Sequence, residues 1–383
     1  MANNRIIELF AQEGQSAWQD DISRDMLNSG EIQTAIEETG IRGLTSNPTI
    51  FEKAIAGGNA YDEEIAGLLE SRDLDTAAIF ETVAVHDIQR TCDLFRPLYD
   101  SSEGGDGFVS IEVSPLGARD AERTADDARR LWRVVNRPNL MVKIPGTIEG
   151  APVIRDMLSE GININITLLF SVPSYERVAE YYIEALAARH SSGKRIDRVA
   201  SVASFFVSRV DTLIDKLLDE KIAAAGDAAQ QGWLASLKGK AAVANAKIAF
   251  QSFERLFSGN AWEQLAAAGA RVQRPLWAST SVKNPAYPDT MYVDELIGPH
   301  TVNTMPRPTI KVFLDHGTVA RTIDRDIASA FKTMEDLAAA GIDLEAVTLQ
   351  LEDEGIAAFA KSFDSLLEGV AAKQSQLAGA AAD

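Results

Sequence analysis

Lys143 interrupts a short apolar run, Asn139 to Thr147 (NLMVKIPGT), that stops at Pro145 and Gly146. A run of this length, ended by Pro-Gly and followed by a helical pattern, predicts a buried parallel strand with the lysine near its C-terminal end. Burying an ammonium is costly, so such a lysine either snorkels to solvent or has its pKa pushed down. The second case has chemical use, because a neutral amine attacks carbonyls to form a Schiff base. Other reactive side chains occupy comparable places. Asp20 closes SAWQD, Asn47 follows IRGLTS, Glu112 shares a face with Phe108 and Ser110 in FVSIEVSP, and Asn163, Asn165 and Thr167 share a face in GININITLLF. Each has a structural use taken alone: aspartate and asparagine cap helices, threonine suits strands, and Glu112 can pair with Lys143 across neighbouring strands. Coincidence explains the whole set poorly, whereas a shared site of perturbed ionisable groups explains it directly.

For these side chains to meet, their strands must end on one side of the fold. Helical spacing covers Ile6–Glu13, residues 30–40, residues 61–99 with a break at Ser71, Arg72 and Asp73, and residues 118–136, 150–160, 173–189, 210–226, 319–340 and 344–371. Strand patterns alternate with them, and the eight segments run from SAWQD through to TVNTMP. Within RVASVASFFVSR the strand is expected to turn helical near Ser204. Pro48 suits the first turn of a helix, which places Thr45, Ser46 and Asn47 at a strand-to-helix corner. About eight strand-helix units predict an α/β fold closed as a single parallel (β/α)8 barrel of the TIM type, with the strand ends gathered at one mouth. There is no repeat and no Pro/Ser-rich linker, so residues 1–383 are read as one barrel domain. It carries an extra Ala-rich helical region at about 230–269 and C-terminal helices, with AKQSQLAGAAAD as a fraying tail. No GxGxxG follows the first strand, which weighs against a dinucleotide-binding half, and the GGDG of Gly104–Gly107 reads as a turn rather than a phosphate loop.

Composition narrows the class of partner. With 37 basic and 56 acidic side chains the formal charge is -19, which disfavours nonspecific binding to nucleic acid or to an anionic membrane. Cys92 is the single cysteine, excluding an intramolecular disulfide and a Cys-rich zinc site and fitting a reducing cytoplasm. His86, His190, His300 and His316 are scattered without the i, i+4 spacing of a ligand pair, so no metal or cofactor is assigned. The N-terminus does not read as a signal peptide, and no stretch approaches about eighteen uninterrupted apolar residues. The expectation is a soluble cytoplasmic protein, with a homo-oligomer left open.

GLTSNPTIF, NLMVKIPGT, GININITLLF and SFFVSR resemble the motifs of transaldolases, in the same order. WASTSVKNPAY and NTMP resemble those of the longer transaldolase subgroup, so the resemblance spans about Trp18 to Pro306. It implies class I aldolase-like chemistry of the non-oxidative pentose phosphate pathway. Lys143 would form a Schiff base with a ketose phosphate, sedoheptulose 7-phosphate or fructose 6-phosphate. The retained dihydroxyacetone unit would pass to glyceraldehyde 3-phosphate or erythrose 4-phosphate. By the same resemblance Asp20, with Asp21 beside it, matches the first-strand aspartate and Glu112 the third-strand glutamate. Thr45, Asn47, Asn165, Thr167, Ser204 and Phe206 match the substrate site, and Arg209 the phosphate site. Shorter members carry a serine-aromatic-arginine cluster where this chain has WASTSVK, so Ser279, Ser281 and Lys283 are the candidate phosphate partners there. Two rival readings remain. One is a fructose-6-phosphate aldolase-like enzyme that releases the three-carbon unit. The other is a noncatalytic sugar-phosphate-binding barrel, against which the intact Asp20, Glu112 and Lys143 set counts.

Overall fold

The short apolar runs between turn residues become eight strands in the computed structural model, which describes residues 4–71 and 74–380. They are β1 (Ser16–Gln19), β2 (Gly43–Leu44), β3 (Phe108–Glu112), β4 (Leu140–Pro145), β5 (Ile164–Leu169), β6 (Ser201–Phe206), β7 (Arg274–Ala278) and β8 (Val302–Met305). Neighbours pair in chain order, every pairing is parallel, and β8 returns to β1 to close the barrel. Strands β4, β5 and β6 are buried at every position, as expected of parallel strands covered by helices outside and side chains within. Register then sets the site. Glu112 lies opposite Lys143, and Lys143 opposite Asn165.

Strand β2 is the shortest, and its glycine has a packing reason. A Cβ on Gly43 would lie 2.5 Å from the ring of Trp18, which is fully buried. Gly43→Ala is therefore expected to lose about 1–3 kcal/mol in urea unfolding, the usual cost of forcing an extra group into a packed core. An unchanged urea midpoint would show that the indole shifts freely.

Several elements differ from the sequence reading. Strand β6 stays extended to Phe206, paired with β7 as far as Ala278, and the following helix starts only at Ser208. Ser204 is thus a strand residue, because ladder pairing and burial outweigh the helical pattern that follows it. The alternation in GININITLLF fails at Leu168, where φ is +61° and the register to β6 shifts between Ile166 and Leu169. The pattern at 319–340 yields a helix only over Ile327–Ala339, while Arg307–His316 forms a helix that the sequence reading omitted. The segment 30–40 divides into an α-helical piece, Glu31–Thr34, and a π-helical turn, Ala35–Thr39. The Ala-rich region is three helices, Ala228–Ser236, Ala241–Leu256 and Asn260–Ala267. Helices Asp62–Ser71 and Thr76–Ser101 flank the expected break, of which Arg72 and Asp73 lie outside the described residues.

The last helix is longer than its pattern suggested. It spans Leu344–Ala380, takes in most of the segment expected to fray, and packs against helices Pro48–Ala56, Asp62–Ser71, Thr76–Ser101 and Ser208–Ala224 and against β5. Among the described residues no helix is long and apolar enough to cross a membrane.

Candidate active site

Three ionisable groups meet at the C-terminal ends of β1, β3 and β4. Lys143 is 5% exposed. Its Nζ lies 3.3 Å from Glu112 Oε2, an ion-pair distance without a formed hydrogen bond, and donates to the Ser46 carbonyl at 3.4 Å. Asp20 directly follows β1, and its Oδ1 accepts from Thr45 Oγ1 at 2.6 Å. Thr45 Oγ1 is in turn 2.8 Å from Thr304 Oγ1, which ties β1, β2 and β8 together at the mouth. Burial pushes the Asp20 carboxyl above the ordinary carboxylate range; the positive charge of Lys143 and the Thr45 hydroxyl oppose it, and neighbouring Asp21 adds to the rise. Burial raises Glu112 in the same direction, against the pull of Lys143. Two carboxyls around one lysine, Glu112 buried and Asp20 half-buried, with protonation made easier by desolvation, are suited to giving and taking protons. Asp21 points elsewhere, into an ion pair with Arg307 at 2.7 Å, so of the two adjacent aspartates Asp20 faces the lysine.

Lys143 and Asp20 border a cavity of about 180 Å³ whose wall also includes Thr45, Asn47, Thr167, Ser204, Phe206, Arg209, Ser279, Ser281 and Lys283. Glu112 and Asn165 stand behind that wall. Asn165 is fully buried, donates to Ser110 Oγ at 3.0 Å and accepts from Ser204 Oγ at 2.7 Å, so it orients Ser204. Asn47 caps the helix that starts at Pro48, its Oδ1 accepting from Ile50 N at 3.0 Å. Asn47 also lines the cavity. Thr167 Oγ1 and Glu112 Oε2 are buried with no hydrogen-bond partner. Buried polar atoms are rarely left so; Thr167 lines the cavity, and Glu112 Oε2 lies beside the Lys143 amine.

The other end of the cavity is cationic. Arg209 belongs to the first turn of helix Ser208–Ala224, and its guanidinium carbon is 5.4 Å from the centroid of the Phe206 ring. Burial holds its pKa below the usual arginine value, with Glu354 opposing. Neither Arg209 nor Lys283 has a carboxylate within 4.0 Å among the described residues. Ser279 adopts φ +57° and brings its hydroxyl to 2.9 Å from Ser208 Oγ, and Ser281 Oγ lies 2.9 Å from Thr309 Oγ1. A guanidinium backed by an aromatic ring, on a wall that also carries serine hydroxyls, has the donor chemistry to receive an oxyanion.

Sequence reasoning missed several members of this wall. Thr304 and Pro306 lay inside NTMP, a segment already singled out, so their signal was present but unassigned. Phe359 had none: it arrives from the last helix, and its ring centroid is 5.7 Å from Lys143 Nζ. Gly355 on the same helix lets the backbone pass Leu168, since a Cβ there would approach Leu168 Cδ2 to 2.8 Å.

Comparison with known proteins agrees with this geometry. The family model described as Transaldolase/Fructose-6-phosphate aldolase matches residues 17–370. A protein named Transaldolase from Trichodesmium erythraeum (strain IMS101) is 48% identical over 380 residues, covering 98% of this chain and 99% of its own. Transaldolase 2 from Nostoc sp. (strain PCC 7120 / SAG 25.82 / UTEX 2576) is 46% identical over 376 residues, with coverage of 97% and 98%. Transaldolase from Mycolicibacterium smegmatis (strain ATCC 700084 / mc(2)155) is 46% identical over 378 residues, with coverage of 98% and 99%. With a closed parallel barrel, a buried strand lysine faced by two carboxyls, and similarity along nearly its whole length, the chain belongs to the transaldolase/fructose-6-phosphate aldolase family.

Proposed function

We propose that the protein is a transaldolase that moves a dihydroxyacetone unit between sugar phosphates through a Schiff base on Lys143. The observation that carries this reading is the pairing of a buried lysine and two carboxyls at one end of a polar cavity with an unpaired arginine at the other. The donor is sedoheptulose 7-phosphate or fructose 6-phosphate, and the acceptor is glyceraldehyde 3-phosphate or erythrose 4-phosphate. The same reading takes residues 1–383 as one catalytic domain.

In this mechanism Glu112 takes a proton from the Lys143 ammonium, and the amine so freed attacks the ketose carbonyl. The carbinolamine then loses water to give the protonated imine. Glu112, 3.3 Å from the Lys143 amine, relays the protons of these steps. Asp20 takes the proton of the fourth-carbon hydroxyl as the bond between the third and fourth carbons breaks, and the first aldose phosphate leaves. The electron pair of that bond passes into the imine, giving a neutral enamine on Lys143. Attack of the enamine on a second aldose, with the proton returned by Asp20 to the new hydroxyl, reverses the sequence. Asn47 and Ser204, the latter oriented by Asn165, hold the hydroxyls of the retained fragment. Arg209, with Ser279, Ser281 and Lys283, holds the phosphate. The imine is itself the electron sink, so the scheme uses no cofactor.

Transfer rather than release requires the enamine to be kept from water, and the ring of Phe359 beside Lys143 favours that outcome over the aldolase alternative. Fructose 6-phosphate with erythrose 4-phosphate should yield sedoheptulose 7-phosphate and glyceraldehyde 3-phosphate, with free dihydroxyacetone minor and no change on adding EDTA. Dominant dihydroxyacetone would shift the reading to an aldolase. Saturable binding without turnover would leave a passive barrel, and loss of activity with chelator would overturn the metal-free scheme.

The phosphate end has its own expected result. Arg209→Ala should lower kcat/KM for phosphorylated ketoses by about tenfold to a hundredfold, the usual worth of a charge-assisted hydrogen bond. Unphosphorylated fructose should be affected far less. Equal losses on both substrates would mean that Arg209 supports the fold rather than the phosphate.

A further inference from the structure

The opposite end of the barrel holds a second cavity, of roughly 770 Å³, that this chemistry does not use. Its size is ordinary for a small-molecule site. The N-terminal ends of several strands, the turn Gly104–Gly107 and helix Asn260–Ala267 form its walls. Arg42, Arg271 and Arg274 face it, and Asp106 is the single carboxylate among its described lining residues. In a chain of net charge -19 this is a local reversal of sign.

Asp106 is already saturated. It is 2% exposed and accepts from Arg42 Nε at 2.7 Å, Arg274 at 3.2 Å, Trp18 Nε1 at 3.0 Å and the Ser16 hydroxyl. Those contacts, together with the positive charges of Arg274 and Arg42, hold its pKa below the ordinary carboxylate value in spite of burial. Among the described residues no carboxylate pairs with Arg271. Its guanidinium donates to the Glu103 carbonyl at 2.9 Å, while its buried Nε has no hydrogen-bond partner. Arg24, by contrast, is matched by two carboxylates, Asp87 and Glu64.

The GGDG turn contributes by position. Its amides are committed within the protein, to Tyr99 O, Ser102 O, Ser102 Oγ and Arg42 O, so it offers no backbone cradle for a phosphate. What it does is pass close to the guanidinium, since a Cβ on Gly105 would lie 3.2 Å from Arg271. Trp262 and Val272 add apolar wall beside these cations.

We propose that this cavity binds a small molecule bearing a phosphate or carboxylate group, with Arg271 and Arg42 holding the oxyanion and its apolar body against Trp262 and Val272. The test is isothermal titration with two probes, inorganic pyrophosphate for the phosphate source and citrate for the carboxylate source. Titrating the Arg209→Ala protein lowers the contribution of the catalytic cavity, and the far-end variants below change only the second cavity, so the result is independent of whether the proposed reaction is right. At least one probe should bind that protein. Adding Arg271→Gln should weaken the binding about tenfold or more, the worth of one charged hydrogen bond. Adding Ala266→Glu instead, which puts a carboxylate on an exposed wall position away from Asp106, should weaken it as well. Circular dichroism melts establish that each variant is folded, and if Arg271→Gln is not, Ala266→Glu decides. Pyrophosphate binding alone assigns the phosphate class, citrate alone the carboxylate class. Failure of both probes to bind Arg209→Ala, or binding unaffected by the folded cavity variants, overturns the proposal.

Discussion

Sodium borohydride added with fructose 6-phosphate is expected to fix one substrate-derived mass on the peptide containing Lys143, and to leave Lys143→Ala unmodified. Only an imine is reduced to a stable amine under these conditions, so the adduct identifies the nucleophile. Lys143 is the lysine held at the cavity wall beside Asp20 and Glu112, whereas Lys283, on the same wall, is exposed. Loss of the nucleophile removes the covalent route altogether, so turnover should fall by on the order of a thousandfold or more. Modification at Lys283, or an equally modified Lys143→Ala protein, would sink the assignment.

The two carboxyls should separate by step. Asp20→Asn is expected to form the trapped imine but to lose cleavage, because only cleavage needs a base on the fourth-carbon hydroxyl. Glu112→Gln should slow imine formation itself. Each loss should be about a hundredfold to ten-thousandfold, the range of a positioned acid or base. Rapid-quench trapping distinguishes them, and an Asp20→Asn protein blocked before the imine would force an exchange of roles.

The same substitution carries a stability signature. Burial raises the Asp20 pKa above its unfolded value. Between those two values the native state binds more protons than the unfolded state, so stability falls as pH rises through the window and the deficit is complete above it. The neutral amide of Asp20→Asn is therefore expected to raise the urea midpoint at neutral pH while abolishing cleavage, the usual opposition between an active site and stability. The gain should vanish below the ordinary carboxylate range. A midpoint that falls at neutral pH would mean that attraction to Lys143 outweighs burial.

Much of the barrel was present in local pattern. Apolar runs closed by Pro-Gly or Asn-Pro, helical spacing between them and the repeated order of the two determined eight strands and most helices, because each signal acts within a few residues. Placing Asp20, Glu112, Lys143 and Thr167 at strand ends was enough to gather them at one mouth, since parallel closure brings all such ends to the same side. Tertiary contact decided the rest. Asp20 rather than Asp21 faces the lysine because Arg307, nearly 300 residues later, draws Asp21 outward. Asn165 stands behind Ser204, Ser204 remains on a strand because β6 pairs with its neighbour β7, and Leu168 leaves the alternation where the β5–β6 register shifts. Phe359 reaches Lys143, and Asp106 draws Arg42 and Arg274 to the far end, through packing between segments distant in the chain. Periodicity records which face of an element is buried; which distant residue covers that face is a property of closure and register, and only the folded chain determines it.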